Sequence, residues 1–389
     1  MNDPTLKPPV LWIKRTLALT AALLLAAVIN VRPSRAQTHA VAAQKNGSSQ
    51  GLWVDNQGFF AEFQGSSLNR SGTPNPKLAL GFGDCCPTVS DLAFDKAGNL
   101  WLGFIASPNG GQLGKLTPDE LKRGKKGKPF RVTIGGGSIQ YPSSIAFDPA
   151  GDLWVAVAGM GNLVEYTPDQ LLLSGSPTPS VVMQFTNNPS TQPAVIRFDS
   201  AGDLWLAYTF LPSSAGPPAI EFTAAQVAEI QVGGSPAPAL TIEAGSDFEA
   251  IWAMAFDAKN NLWIAASTFD HNSNGVDGGV VEMFKVAGKS GTLSQPDVTI
   301  SPSAISSINQ SLDRPSGLAL DDQGSLWVSN PTSSDQVAGA ANSTGFIVKF
   351  TPDQLTASGS PVPPTIISPN RKGSNVKFPS PIVFGPTVK

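Results

Sequence analysis

Histidine, cysteine and charge are the scarce materials of this 389-residue chain. Two histidines, His39 and His271, all but exclude multi-histidine metal centres and histidine-based catalytic triads. Charged residues make up 14% of the chain and the formal net charge is −3, so the cationic surface that draws in nucleic acid is missing. Two cysteines, adjacent at Cys85 and Cys86, cannot form a metal-binding CxxC pair. Glycine and proline are plentiful, at 38 and 34 residues, and that much turn chemistry argues against a helical bundle. A hydrophobic share of 41% is too high for a disordered chain and predicts a packed core.

The first 36 residues read as an export signal. Lys7, Lys14 and Arg15 precede the apolar run Thr16 to Val31, and Ser34-Arg35-Ala36 forms a small-x-small cleavage site. The alternative, an uncleaved anchor, is disfavoured because sixteen residues reach about 24 Å as a helix against a hydrocarbon core of about 30 Å. Cleavage removes five positive charges and one negative, taking the net charge from −3 to −7. The expected organisation is a signal over 1–36, a flexible segment over 37–49 and a folded domain over 50–389. The expected location is the periplasm or the exterior, with no membrane-spanning segment after cleavage.

One phrase recurs along the folded part. It reads LAFDKAGNLWLGF from Leu92, IAFDPAGDLWVAV from Ile145, IRFDSAGDLWLAY from Ile196, MAFDAKNNLWIAA from Met254 and LALDDQGSLWVSN from Leu318. A second phrase follows each copy, as in EYTPDQLLLSGSPTP and KFTPDQLTASGSPVP. A sixth copy is split: its second half starts at Gly51 and its first half lies in PSPIVFGP from Pro379. Split terminal repeats make sense only where an array closes on itself, since an open solenoid carries polar caps instead.

Each unit resolves into four short strands with Gly, Asn and Asp turns, and six such meanders in a ring predict an all-β, six-bladed β-propeller. In the third unit strand A is placed at Ser144 to Asp148, B at Leu153 to Val157, C at Leu163 to Thr167 and D at Ser180 to Phe185. Closure predicts that Pro381 to Phe384 pairs with Leu52 to Asp55. Six of the eight tryptophans, Trp53, Trp101, Trp154, Trp205, Trp263 and Trp327, share one repeat position and are assigned to packing between blades. The recurring Asp95, Asp148, Asp199, Asp257 and Asp321 are assigned to the backbone of the A-B turn.

The phrase I-A-F-D-x-x-G-x-L-W-V-A, once per blade over about residues 50 to 389, resembles NHL-type and SMP-30/gluconolactonase-like six-bladed propellers, and more loosely virginiamycin B lyases. The resemblance implies the ring scaffold, which carries lactonases, lyases and binding proteins alike. The lactonase branch implies a divalent cation held by Glu, Asn and Asp at the top of the channel. The lyase branch implies a catalytic His, and no motif around His271 matches it.

Positions where one blade departs from its siblings are the candidates for function. Arg197 stands where other blades carry Ala or Val; it predicts either a salt bridge, to Glu249 or Asp247, or a ligand anion. Asp91 stands where others carry small residues. With Asp55-Asn56 and Ser329-Asn330 it forms an arc that reads either as ligands for a hard cation or as an ordinary wet rim. The loop Asp270-His271-Asn272-Ser273-Asn274-Gly275-Val276-Asp277 matches the start of a calcium loop, with candidate ligands Asp270, Asn272, Asn274 and Asp277. Its twelfth position is Val281 rather than an acid, so Ca²⁺ or another divalent cation here stands beside a chance match.

Cys85 and Cys86 read as a strained vicinal disulfide, as free thiols or as an intermolecular bridge. The basic run Lys122 to Arg131 reads as solvated or as a contact for an anionic envelope partner. Aromatics on the variable face of B-C and D-A loops, including Tyr141, Tyr208 and Trp252, either bind a flat polar ligand or fill loop cores. The expectation is an exported, monomeric propeller that binds a small polar ligand, an envelope protein or a glycan, through Asp55, Asn56, Asp91, Arg197, Tyr208, Glu249, Trp252 and Asn330. The alternative is a metal-dependent, lactonase-like hydrolase with its cation at the channel mouth.

Overall fold

A computed structural model describes residues 50–56, 59–81, 88–106, 110–123, 130–185, 192–209, 219–243, 248–270, 275–305, 309–331, 345–369, 376 and 379–387. The export segment, His39, residues 37–49, Cys85, Cys86, residues 124–129 of the basic run, Phe210, Asp247, His271, Asn272 and Asn274 lie outside them. The described chain forms six antiparallel sheets in a ring, a six-bladed β-propeller. Among the described residues no helix is long and apolar enough to cross a membrane.

Blade 1 is assembled from both ends of the domain. Ile382–Pro386 is its inner strand A, followed by Gln50–Asp55, Phe59–Phe63 and Leu78–Gly81. Leu52 pairs with Phe384, Trp53 with Val383 and Val54 with Ile382, and the Asp55 amide donates to the Pro381 carbonyl at 3.0 Å. The predicted closure is therefore formed in the expected register. In blade 3 the strands are Pro142–Phe147, Leu153–Val157, Asn162–Tyr166 and Val181–Gln184, within two residues of those predicted.

The repeated Trp and Phe explain how neighbouring blades dock. Each ring Trp is buried on strand B, and the Phe of the next blade's FD pair meets it edge-on: Trp53–Phe94 at 5.8 Å, Trp101–Phe147 at 6.2 Å, Trp154–Phe198 at 6.0 Å and Trp327–Phe384 at 6.1 Å. Trp205 packs on Phe256 at 5.8 Å in a tilted arrangement. Blade 6 carries Leu320 in place of Phe, and it packs in the cluster that holds Trp263. Such pairs add directionality to the burial of large aromatic area.

The turn Asp also behaves as expected and does more. Asp95 Oδ1 accepts the Ala97 and Asn99 amides at 3.0 and 2.9 Å, while its Oδ2 accepts the Trp101 indole N–H at 3.1 Å. One carboxylate thus fixes both the A-B turn and the Trp rotamer. The turn needs a left-handed residue, supplied by Gly98, Gly151, Gly202 and Gly324 and, in blade 5, by Asn260 at φ 62°.

Two features were not read from the sequence. The T-P-D-x-L part of the second phrase forms a helical turn after strand C, capped reciprocally where the Thr167 hydroxyl and the Gln170 side chain close a capping box. The degenerate phrase of blade 5 contributes Gly291–Leu293, which joins blade 4 as a fifth strand parallel to Leu240–Ile242.

Candidate functional site

On the inner strands two departures from the repeat satisfy each other. Arg197, on strand A of blade 4 (Gln192–Phe198), holds Asp91, on strand A of blade 2 (Thr88–Phe94), through Nη1 to Oδ2 at 2.8 Å and Nη2 to Oδ1 at 3.2 Å. Ser144 of blade 3 bridges them: its hydroxyl donates to Asp91 Oδ2 and accepts from Arg197 Nη1 at 3.0 Å. The amides of Leu92 and Ile145 add two more donors to Asp91, at 2.9 and 3.0 Å. The guanidinium can cross a whole blade because the same layer of the other inner strands carries only Ala93, Ala146, Ala255, Ala319 and Val383.

Among the described residues the carboxylate that pairs with Arg197 is Asp91, while Asp247 and the side chain of Glu249, the partners expected from the sequence, lie outside them. This pairing also changes the proposed arc of oxygen ligands, because both Asp91 oxygens are engaged. Asp55 and Asn56 are 2% and 5% exposed, and Asn330 is fully buried, its Oδ1 accepting the Asp313 amide at 2.9 Å. These groups sit under the rim rather than on it. Tyr208 is likewise packed, 8% exposed and edge-on to Phe185 at 6.3 Å.

Trp252 does lie open. It is the extra residue of a β-bulge between Ile251 and Ala253 on strand A of blade 5, 42% exposed, with its indole N–H donating to Ser267 Oγ at 3.0 Å. Tyr141, just before strand A of blade 3, is 52% exposed. Glu249 lies on the same strand as Trp252. Asp270 and Asp277 lie on paired strands, with Asp270 opposite Gly275 and Phe269 opposite Val276, so the calcium-loop match falls on a hairpin whose tip is outside the described residues.

The opposite face, formed by the A-B turns, carries two clusters that the sequence reading missed. Asp148, Asp152 and Glu165 converge in blade 3 and Asp199, Asp203 and Glu221 in blade 4, each set with ligand oxygens within 4.8 Å of one another. In blade 3 the carboxylates are well supplied with donors. Glu165 accepts from Ser180 Oγ at 3.0 Å and from Gln231 Nε2 at 2.6 Å, and Asp148 Oδ2 accepts the Trp154 indole at 3.3 Å. Burial first, then the charges of Asp148 and Glu165, push the Asp152 carboxyl up to about 7.

Blade 4 is less complete. Asn260 of the next blade donates to Asp199 Oδ2 at 2.8 Å, and the Trp205 indole N–H, fully buried, has no partner among the described residues. Glu221 is 7% exposed; its Oε2 has no donor among the described residues, and its carboxyl shares a hydrogen bond with that of Asp203. Burial, followed by the charges of Asp203 and Asp199, pushes Glu221 up to about 8. The signal for both clusters was in the repeats: GDLW followed by EY or EF in blades 3 and 4, against GNLW or GSLW followed by KL or KF in blades 2 and 6. A shallow pocket of about 420 Å³ also opens on this face, lined by Phe94, Phe147 and Pro168; Asp95 and Asp148 at its edge already bond their own turns.

No protein-family model and no curated protein matches the sequence. Among solved structures, a protein of unknown function from Bacteroides caccae is 12% identical over 87% of this chain and 99% of its own, with a TM-score of 0.55. Virginiamycin B lyase from Staphylococcus aureus is 15% identical over 83% of this chain and 85% of its own, with a TM-score of 0.41. A luciferin-regenerating enzyme is 15% identical over 65% and 82%, with a TM-score of 0.40. These likenesses concern the ring alone, and the NHL-type and SMP-30-like resemblance rests on the blade phrase.

Proposed function

We propose that the protein is an exported binding propeller that takes a small flat polar ligand, such as a sugar, free or displayed on an envelope protein or glycan, at the mouth formed by the B-C and D-A loops. The observation that carries this reading is Trp252. A bulge turns it out of the ladder on an inner strand, its N–H is anchored to Ser267, and 42% of it remains exposed. An anchored, open indole offers rigid stacking area at little entropic cost on binding. Exposed Tyr141 two blades away adds a second aromatic surface on the same face.

The lactonase-like alternative needs an open carboxylate at the mouth to hold its cation. Asp91 is poorly suited, because Arg197, Ser144 and two amides already occupy both its oxygens. The export signal read over residues 1–36 would place binding in the periplasm or outside the cell. The test is calorimetric titration of the mature protein with a panel of mono- and oligosaccharides, against Trp252→Ala. Binding by the parent that is lost in Trp252→Ala, with an unchanged melting temperature, supports the reading. Turnover of aldonolactones or aryl esters that survives Trp252→Ala would overturn it.

A further inference from the structure

Charge beside the ring Trp sets two pairs of blades on the A-B turn face against each other. Opposite the ring Trp, strand C presents Lys115 in blade 2 and Lys349 in blade 6, but Glu165 in blade 3 and Glu221 in blade 4. The residue four places after the turn Asp changes with it: Asn99 and Ser325 accompany the lysines, Asp152 and Asp203 the glutamates. Lys349 Nζ lies 3.1 Å from Asp321 Oδ2 and 5.1 Å from the centre of the Trp327 ring, and Lys115 Nζ lies 5.3 Å from that of Trp101. Blades 2 and 6 therefore build an ammonium into the space beside the indole, and in blade 6 Asp321 pairs with it.

In blade 4 three carboxylates converge on the corresponding space, and among the described residues no ion pair reaches any of them. We propose that Asp199, Asp203 and Glu221 hold one divalent metal cation of the calcium or manganese kind, in the place that the lysine ammonium takes in blades 2 and 6. The geometry suits it. Ligand oxygens within 4.8 Å of one another fall inside the span of roughly 5 Å available to two oxygens that share one calcium ion. All donors are hard carboxylate oxygens, the set that selects calcium, magnesium or manganese over softer metals.

The independent observation is the buried Glu221 itself, whose Oε2 has no donor among the described residues. A buried carboxyl oxygen that no protein donor reaches is open to a cation, which takes the place of the proton that burial otherwise favours there. Half-buried Asp203 provides the way in from solvent. Blade 3 marks the boundary of the proposal. Its equivalent Glu165 has donors on both oxygens, and the indole of Trp154 reaches Asp148, so no cation is assigned there.

This site lies on the face opposite the proposed ligand mouth and stands or falls separately from it. The test uses the mature chain, dialysed against EDTA and titrated with calcium, manganese or terbium chloride. The melting temperature should rise with the logarithm of cation concentration. Terbium emission excited through tryptophan should appear, because Trp205 pairs directly opposite Glu221, and calcium should compete it away. Both responses should vanish in Asp203→Asn and persist in Glu165→Gln and Asp270→Ala. If Asp203→Asn folds poorly, Asp203→Asn with Glu221→Lys rebuilds the Asp-Asn-Lys set of blade 2. That variant should melt above the stripped parent and ignore calcium. The proposal is overturned if none of the three cations raises the melting temperature of the parent, or if the rise survives either variant.

Discussion

Blades 4 and 6 are cast from one phrase yet treat their buried carboxylates in opposite ways. Blade 6 sets Lys349 against Asp321, whose oxygens also hold Trp327 and the turn amides. Blade 4 sets Asp203 and Glu221 beside Asp199, and one glutamate oxygen is left without a donor among the described residues. Asp91 follows the pattern of blade 6 on the inner strands, where Arg197 comes from two blades away. The scaffold thus fixes where carboxylates sit, and the chain decides blade by blade whether the balancing cation is its own. A repeated position can therefore carry chemistry, provided its charge varies while its geometry does not.

Ring closure is common to both blades, and removing it sets the upper limit for any effect. Deleting residues 379–389 strips strand A from blade 1 and uncovers Leu52 and Val54, so the melting temperature should fall further than in any point variant. Next comes Arg197→Met, which leaves Asp91, 4% exposed, without its guanidinium. Denaturant unfolding should show a loss of about 3 kcal/mol, largely restored in the double variant with Asp91→Asn. Lys349→Met should cost less, about 2 kcal/mol, because Asp321 loses one ammonium contact and is 11% exposed, where the more deeply buried Asp91 loses two guanidinium bonds. Equal losses for the two variants would break the ranking.

The smallest effect concerns pH. Asp152 is raised from 3.8 to about 7, first by burial. A folded-state value above the unfolded one means the contribution is fully present below about pH 4 and is lost as pH rises through about 7. Stability should therefore decline over that window, and Asp152→Asn should flatten the decline. A profile that is unchanged in the variant would place the titration elsewhere.

The ring was legible because its determinants are local and periodic. Within each full copy the turn Asp and the ring Trp lie six residues apart, the halves of the split repeat mark the two ends of the ring, and the register of Leu52 with Phe384 followed from them. The Asp91–Arg197 pair was harder. Each residue stood out alone, but they are 106 positions apart and meet only because the intervening layer is lined by alanines and Ser144 bridges the gap. Tyr208 looked like a mouth residue and is instead held by Phe185. The blade 4 cluster escaped notice for a different reason. Its acids occupy repeated positions, and only the joint change of Asn to Asp and Lys to Glu across strands B and C betrays it.

The central claim is that blade 4 borrows the cation that blade 6 builds in. Crystals of the mature protein soaked in manganese chloride, with diffraction recorded for anomalous scattering, test it most directly. The account predicts an anomalous peak bound by Asp199, Asp203 and Glu221, and none beside Lys349 or within Asp148, Asp152 and Glu165. A blade 4 cluster without a peak, in crystals where manganese binds the hairpin at Asp270 or nowhere, would contradict it.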